Sequence, residues 1–278
     1  MNTQELLTRI IDLALEEDGT DVTSNAVFEP ADRLKAKFTA KSSGIIAGLD
    51  IAEMVFKKLD GKALFEKKVD DGSHVKTGTV IAEISGCARA LLKAERVALN
   101  FMQRMSGIAT MTSLFLKEIR GTKAVLLDTR KTAPGQRVLD KIAFRTGGGQ
   151  NHRMGLFDMA LIKDNHIDRV GSISEAVRKV KAFSENIPVE VECRTLEDVK
   201  EALSSNVDRV MLDNFSIDGM KKAVLLVNGR VPLEASGGIT LKTIKDVAQT
   251  GVDYISVGEV THSVKAFDIS MTIGQADD

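Results

Sequence analysis

Ala160-Leu161-Ile162-Lys163, Val189-Glu190-Val191-Glu192, Val210-Met211-Leu212-Asp213, Leu233-Glu234-Ala235-Ser236 and Ile255-Ser256-Val257-Gly258 are five short apolar runs, each closing on a charged or small residue. The closing residues advance in steps of 29, 21, 23 and 22. Amphipathic helical patterns fill the intervals, such as Leu196 to Leu203 and Leu241 to Gln249. That spacing gives room for a strand and a crossover helix, so the period is that of successive βα units. Ala124-Val125-Leu126-Leu127-Asp128 adds a sixth unit upstream. Leucine-rich repeats have a similar period, but their Leu-x-x-Leu-x-Leu scaffold is missing. The GxGxxG fingerprint of a dinucleotide-binding open sheet is absent after the first strand. Polar residues at nearly every strand end favour a barrel, where those ends converge on one mouth. The expectation is therefore an α/β fold whose second part, residues 110–278, is an incomplete (β/α) barrel of six or seven strands.

Residues 1–109 read differently. Leu6, Leu7, Ile10, Ile11, Ala14 and Leu15 repeat at a helical period. Leu34-Lys35-Ala36-Lys37-Phe38-Thr39-Ala40 alternates as a half-buried antiparallel strand does, and Asp50 to Leu59 is again helical. Val69 to Ile84 has glycine-marked turns between short strands, like the hammerhead of biotinyl and lipoyl carriers. No lysine stands at a Met-Lys-Met-like hairpin tip, so a compact β-turn module is the better reading. From Ala88 to Lys117 a long helical pattern runs, with Gly107 marking a place where it divides in two.

Composition removes several classes of function. The 278 residues carry 38 Lys+Arg against 39 Asp+Glu, a net charge of -1, so no general electrostatic grip on nucleic acid or anionic membrane is expected. Aromatic residues are 4% of the chain, with no Trp and one Tyr, too few for base-stacking platforms or membrane girdles. No apolar run approaches the roughly 18 residues of a membrane span. Met1-Asn2-Thr3-Gln4-Glu5 lacks the basic head and apolar run of a signal peptide, and Cys87 and Cys193 form no CxxC pair. The expected setting is the cytoplasm, with no nucleic-acid or membrane partner.

The chemistry gathers near the first strand ends. Between Asp128 and His166 there are seven basic residues, Arg130, Lys131, Arg137, Lys141, Arg145, Arg153 and Lys163, against four acidic ones. Arg137, Lys141 and Arg145 have helical spacing and read as a solvated helix face. Arg130, Lys131, Arg153 and Lys163 stand at strand ends or beside glycine, where Arg forks and Lys charges suit a multiply anionic small molecule. Glu192 and Asp213 close later strands. Carboxylates so placed bind sugar hydroxyls or a divalent cation bridging phosphates, or form a salt bridge with no chemistry. Ser236-Gly237-Gly238, read as directly preceding a helix, and Val257-Gly258 fall where barrels carry a phosphate seat. His152 and His166 lack HExxH spacing, so zinc has no support. Cys193 points opposite to Glu192, into the core.

Glu95-Arg96-Val97-Ala98-Leu99-Asn100, Ser106-Gly107-Ile108-Ala109-Thr110, DTRKTAPGQR from Asp128, GGGQNHRMGLFD from Gly147, LIKDNH from Leu161, VEVE from Val189, MLDN from Met211, LEASGGI from Leu233 and ISVGEVTHS from Ile255 together resemble the quinolinate phosphoribosyltransferases. The resemblance implies an α/β sandwich followed by an incomplete barrel. It also implies a Mg2+-dependent transfer from phosphoribosyl pyrophosphate to quinolinate with loss of CO2, in NAD biosynthesis. It implies a homodimer or higher homo-oligomer in which Arg96 reaches the neighbouring site. By the same resemblance Thr129, Arg130, Lys131, His152, Arg153 and Lys163 surround quinolinate, and Lys131, Lys163, Glu192 and Asp213 are catalytic. Glu192 and Asp213 are the ribose and Mg2+ ligands, directly or through the donor and water. Ser236, Gly237, Gly238, Val257, Gly258 and Glu259 form the phosphate seat.

Ala133, Gln136 and Glu259-Val260 depart from the family pattern, and Glu259 puts a carboxylate beside a phosphate seat. Three other readings stand beside this one. A branch of the family that accompanies molybdate-transport genes lacks the lysine of LIKDNH, which Lys163 supplies here. A Schiff-base aldolase would use Lys163. A non-catalytic phosphosugar-binding protein on the same barrel would not need both Glu192 and Asp213.

Overall fold

In the computed structural model, which describes residues 2–274, the chain divides into two compact units. The first contains residues up to 113 together with 133–148 and the C-terminal segment from 263; the second contains 114–132 and 149–262. In chain order the first unit opens with α1 (Thr3–Asp18) and α2 (Val22–Val27), then β1 (Arg33–Ala40), β2 (Gly44–Ile45), α3 (Leu49–Leu59), β3 (Leu64–Lys67), β4 (His74–Val75) and β5 (Val80–Cys87). The long helix α4 (Ala88–Glu118) follows. The second unit begins with β6 (Val125–Leu127); α5 (Arg137–Thr146) returns to the first. β7 (Ala160–Ile162), α6 (Asp164–Val170), α7 (Ile173–Phe183), β8 (Val189–Cys193), α8 (Leu196–Ser204), β9 (Arg209–Asp213) and α9 (Ile217–Val227) continue the second unit. β10 (Leu233–Ser236), α10 (Ile244–Ala248), β11 (Tyr254–Ser256) and α11 (Glu259–His262) complete it, and β12 (Ile269–Gly274) ends the described chain.

The expected helices are present over Thr3–Asp18 and Leu49–Leu59, each starting where its sequence dictates. Asn2 caps α1, accepting from Gln4 N, while Glu5 accepts from Asn2 N in a capping box. The antiparallel sheet of the first unit has the order β12-β1-β5-β3. Its inner face carries Phe38, fully buried, which meets Phe56 at 5.9 Å and Phe65 at 6.3 Å between ring centroids. Tilted and edge contacts of this kind add about 0.5–1.5 kcal/mol per pair beyond burial. The edge strand β12, pairing Met271 with Phe38 and Ile269 with Ala40, has no counterpart among the strands expected from the sequence.

Two expectations fail for local reasons. Gly107 does not divide α4, which runs unbroken for 31 residues. A Cβ there would lie 2.3 Å from the Lys265 carbonyl oxygen, so the glycine admits another backbone rather than ending a helix. Lys141 is not on a solvated face: it is 1% exposed, while Arg145 on the same helix is exposed. Beside it Asp140 is fully buried and accepts a two-point contact from Arg104, Nε to Oδ1 at 2.8 Å and a second guanidinium nitrogen to Oδ2 at 2.7 Å, the fork geometry that suits an arginine.

The second unit carries one parallel sheet of six strands in the order β6-β11-β10-β9-β8-β7. All six expected strands are present. β6 pairs with β11, and β7 lies at the other edge, so the barrel is incomplete between β6 and β7. Part of that edge is occupied by Gln150, which forms a parallel bridge with Leu127. Strands buried on both faces explain the apolar runs Val189, Val191, Val210, Leu212, Leu233 and Ala235.

Candidate active site

Where these strands end, a cavity of about 530 Å³ opens in the second unit. Thr129, Arg130, Lys131, His152, Arg153, Lys163, Glu192, Asp213, Ser236, Gly237 and Gly238 all line it. Leu161, Met211, Asn214, Glu234 and Ser256 complete the lining. Val257 is buried, and Gly258 lies behind Lys131: a Cβ on it would stand 2.9 Å from Lys131 Cδ. Glu259 opens α11 and does not line the cavity, though its Oε2 is buried without a hydrogen-bond partner. Arg96 is exposed on α4 and is not among the lining residues.

The loop after β6 is held at both ends. Thr129 Oγ1 accepts from Lys131 N at 3.0 Å, and Thr261 Oγ1 donates to the Lys131 carbonyl at 2.8 Å. Buried Asp128 accepts from His152 N at 2.8 Å, joining this loop to the next. Arg153 donates to the Met159 carbonyl at 3.0 Å. Burial and the nearby charge of Arg130 both disfavour charge on Arg153 and lower its pKa. Arg130 Nε is itself buried with no acceptor. Two guanidinium groups that repel each other, one with an unmet buried donor, are arranged for an anion with two negative groups.

Lys163 Nζ donates to Glu192 Oε2 at 2.7 Å, and Asp213 accepts from Asn214 Nδ2 at 2.9 Å. The salt bridge that the sequence left as an alternative for Glu192 is therefore present, with Lys163 as its partner, but at the rim of the cavity, with the Lys163 side chain 46% exposed. Beside Asp213, which pairs in register with Ser236, lies the Ser236-Gly237-Gly238 turn. Gly237 has φ +98° and Gly238 φ +59°, and a Cβ on Gly237 would stand 2.2 Å from Asn214 Oδ1. Both the angle and the space require glycine there. The turn does not lead directly into a helix: α10 starts only at Ile244 and is five residues long. Any anion binding here comes from the left-handed turn's own N–H groups, a nest rather than a helix end.

Beneath the mouth is a layer of charged residues to which the strand-end pattern assigns no role. Glu190 and Glu234 are both fully buried. His152 Nε2 lies 3.0 Å from Glu190 Oε2 and 3.3 Å from Glu234 Oε2, and Arg209 reaches Glu234 Oε2 at 3.0 Å while stacking 4.2 Å over the Tyr254 ring. Burial opposes charge on His152, but the two carboxylates outweigh it and raise its pKa to about 9. Glu190 is pushed up to about 7, by burial first and the charge of Glu234 second. Glu234, though equally buried, is held low by His152, Ser256 and Arg209. The Arg153 N–H donates to His152 Nδ1 at 2.7 Å and works against a second ring proton, which would have to sit on Nδ1. The signal for this layer was in the strand period: Glu190 is two residues before Glu192, and Glu234 two before Ser236, so each shares the cavity face.

Two family models match the chain: "Quinolinate phosphoribosyl transferase, N-terminal domain" over residues 21–106 and the C-terminal domain of the same family over residues 108–272. The chain is 45% identical over 289 residues to a rice chloroplastic nicotinate-nucleotide pyrophosphorylase [carboxylating], covering 96% of this chain and 77% of that protein. It is 44% identical over 277 residues to a probable nicotinate-nucleotide pyrophosphorylase [carboxylating] of Bacillus subtilis, covering 98% and 95%. Among solved structures, the nicotinate-nucleotide pyrophosphorylase from Francisella tularensis superposes with a TM-score of 0.94 at 40% identity, over 99% of this chain and 98% of that one. NadC from Streptococcus pyogenes gives 0.95 at 37% identity, over 100% and 99%. Both halves of the chain match in the family's order, and the chain belongs to the quinolinate phosphoribosyltransferase family.

Proposed function

We propose that the protein transfers phosphoribose from phosphoribosyl pyrophosphate to quinolinate with decarboxylation, yielding nicotinate mononucleotide, pyrophosphate and CO2. The observation that carries this reading is the Arg130–Arg153 pair, two guanidinium groups in one cavity with a buried donor unmet. Quinolinate is a small dicarboxylate that answers both. Arg130, Arg153 and Lys131 bind its carboxylates, Lys163 neutralises one of them at the rim, and Thr129 fixes the Lys131 main chain. The Ser236-Gly237-Gly238 turn, with Val257, Gly258 and Glu259 following the neighbouring strand, seats the donor's phosphate end.

Catalysis on this reading is mostly positioning and electrostatics. The ring nitrogen forms a bond to C1 of the ribose as the bond from C1 to pyrophosphate breaks, the electron pair leaving with pyrophosphate. The alkylated nitrogen is cationic, so it stabilises the electron pair left on the adjacent ring carbon when its carboxylate departs as CO2; a proton then adds to that pair. Glu192 holds ribose hydroxyls and keeps Lys163 in place, and Asp213 lies on the same rim. Carboxylate oxygens are the donors a hard divalent cation takes, so the rim pair Glu192 and Asp213 fits Mg2+, held directly or through the donor and water. When bound, Mg2+ would offset charge on the pyrophosphate group.

The assembly we propose is a homodimer or higher homo-oligomer, with Arg96 of one copy serving the cavity of another. Its exposure on α4 supports this. The domain division we propose is 1–109 and 110–278, supported by the break between the family models after residue 106, although residues 133–148 and those from 263 belong to the first compact unit. The proposed setting is the cytoplasm, supported by two free cysteines, one of them buried with burial pushing its thiol pKa up. No helix among the described residues is long and apolar enough to cross a membrane.

Incubation of the purified protein with Mg2+, quinolinate and phosphoribosyl pyrophosphate should release CO2 and give nicotinate mononucleotide. Turnover of nicotinate but not quinolinate would overturn the reading.

A further inference from the structure

His152 lines the cavity, yet both of its ring nitrogens face protein groups. Nδ1 accepts the Arg153 N–H at 2.7 Å, and Nε2 lies between the Glu190 and Glu234 carboxylates at 3.0 and 3.3 Å. Its own main-chain N–H is taken by Asp128 at 2.8 Å. With Nδ1 occupied and Nε2 buried against two carboxylates, the ring has no nitrogen to offer a substrate. We propose that His152 is a positioning residue: anchored by Glu190 and Glu234, it fixes the main chain at Arg153 and so aims that guanidinium at the dicarboxylate. This rests on the quinolinate reading above and deepens it.

The groups beneath the ring have contacts of their own. Glu234 is tied to Arg209, and Arg209 is stacked on Tyr254. Glu190 pairs in register with Arg209 across neighbouring strands, is fully buried, and sits near enough to Arg153 to favour its charge. Buried carboxylates are costly unless charges or donors offset them, and here His152 and Arg209 supply that charge.

The same three side chains, His152, Glu190 and Glu234, bring their ligand atoms within 4.8 Å of one another, close enough to surround a metal ion. The Arg153 N–H decides against it. With Nδ1 acting as acceptor, the ring proton sits on Nε2, the nitrogen that would have to bind the metal. Arg209 already supplies positive charge to Glu234. The cluster is a support and not a metal site.

Charge and geometry predict opposite signs for one substitution. Removing a negative charge beneath an anion site should by electrostatics alone tighten quinolinate binding, whereas a lost support should loosen it. The test is steady-state kinetics and calorimetric quinolinate binding on wild type, Glu190→Gln, His152→Gln and His152→Asn, with melting curves to establish folding. Wild type must first turn over quinolinate; failure there rejects the reading of the function, separately from this proposal. With turnover established, Glu190→Gln should raise the quinolinate KM and Kd about tenfold, the scale of one hydrogen-bond-directed loss, with the donor KM and kcat little changed. His152→Asn retains an acceptor for the Arg153 N–H and should bind quinolinate more tightly than His152→Gln. A quinolinate KM that is unchanged or falls in Glu190→Gln overturns the proposal. So does a collapse of kcat at unchanged KM in both His152 variants, which would place the ring in the chemistry. If Glu190→Gln does not fold, the contrast between the two His152 variants decides alone, and equal binding by them rejects it.

Discussion

Gly258 has ordinary backbone angles, so its missing side chain matters for space and not for conformation. An added Cβ would meet Lys131 Cδ at 2.9 Å and His262 Cδ2 at 3.1 Å. Both are ends of side chains that can move, whereas the Lys131 main chain stays held by Thr129 and Thr261. Gly258→Ala should therefore melt within a few degrees of wild type while the quinolinate KM rises several-fold, because Lys131 is displaced. Gly237→Ala differs, since φ is +98° and the Asn214 amide is 2.2 Å from the new carbon; that variant should lose stability as well, by about 1–3 kcal/mol. Side-by-side denaturation and kinetics check the contrast. At this scale the sequence was informative where chemistry and position coincide. Arg130, Arg153 and Lys163 could be named because cations at strand ends are conspicuous. Lys141 was misread, because helical spacing does not say which face is buried, and Asp140 and Arg104 gave no sign that they pair.

Helix α4 shows how an element is shaped by what lies against it. In an isolated helix Gly→Ala gains about 1 kcal/mol. At Gly107 the new methyl would fall 2.3 Å from the Lys265 carbonyl oxygen and 3.1 Å from Val264, and overpacking of that sort costs about 1–3 kcal/mol. The second effect wins, so Gly107→Ala should lower the melting temperature rather than raise it, with helix content by circular dichroism unchanged. The sequence read Gly107 as a break because the residue facing it, 158 positions later, is not visible in any local window. β12 was missed for the same reason: it becomes a strand by pairing with β1, and pairing partners far apart leave only a weak alternation in either segment.

For the whole molecule, the proposed sharing of Arg96 between copies has a direct consequence. An Arg96→Ala protein and a Lys163→Ala protein, each inactive alone, should regain part of the wild-type rate when mixed under conditions that allow subunit exchange. In a two-copy assembly the hybrid holds one intact site, so a rate near a quarter of wild type is expected after full exchange, on the order of what random pairing gives. No recovery despite exchange, followed by native mass spectrometry, would count against a shared site. The sequence by itself determined the βα rhythm, the six strands and the cations at their ends, because strand period and strand-end chemistry are local and repeat within some 20–30 residues. Only the tertiary structure decided that β6 closes on β11 and leaves β7 at the other edge, and that buried Glu190 and Glu234 form a polar layer under the cavity with half-buried Arg209. Those outcomes depend on which distant segments come within bonding distance. A buried carboxylate is recognisable in a sequence only once its partner is known, since burying it alone would cost several kcal/mol.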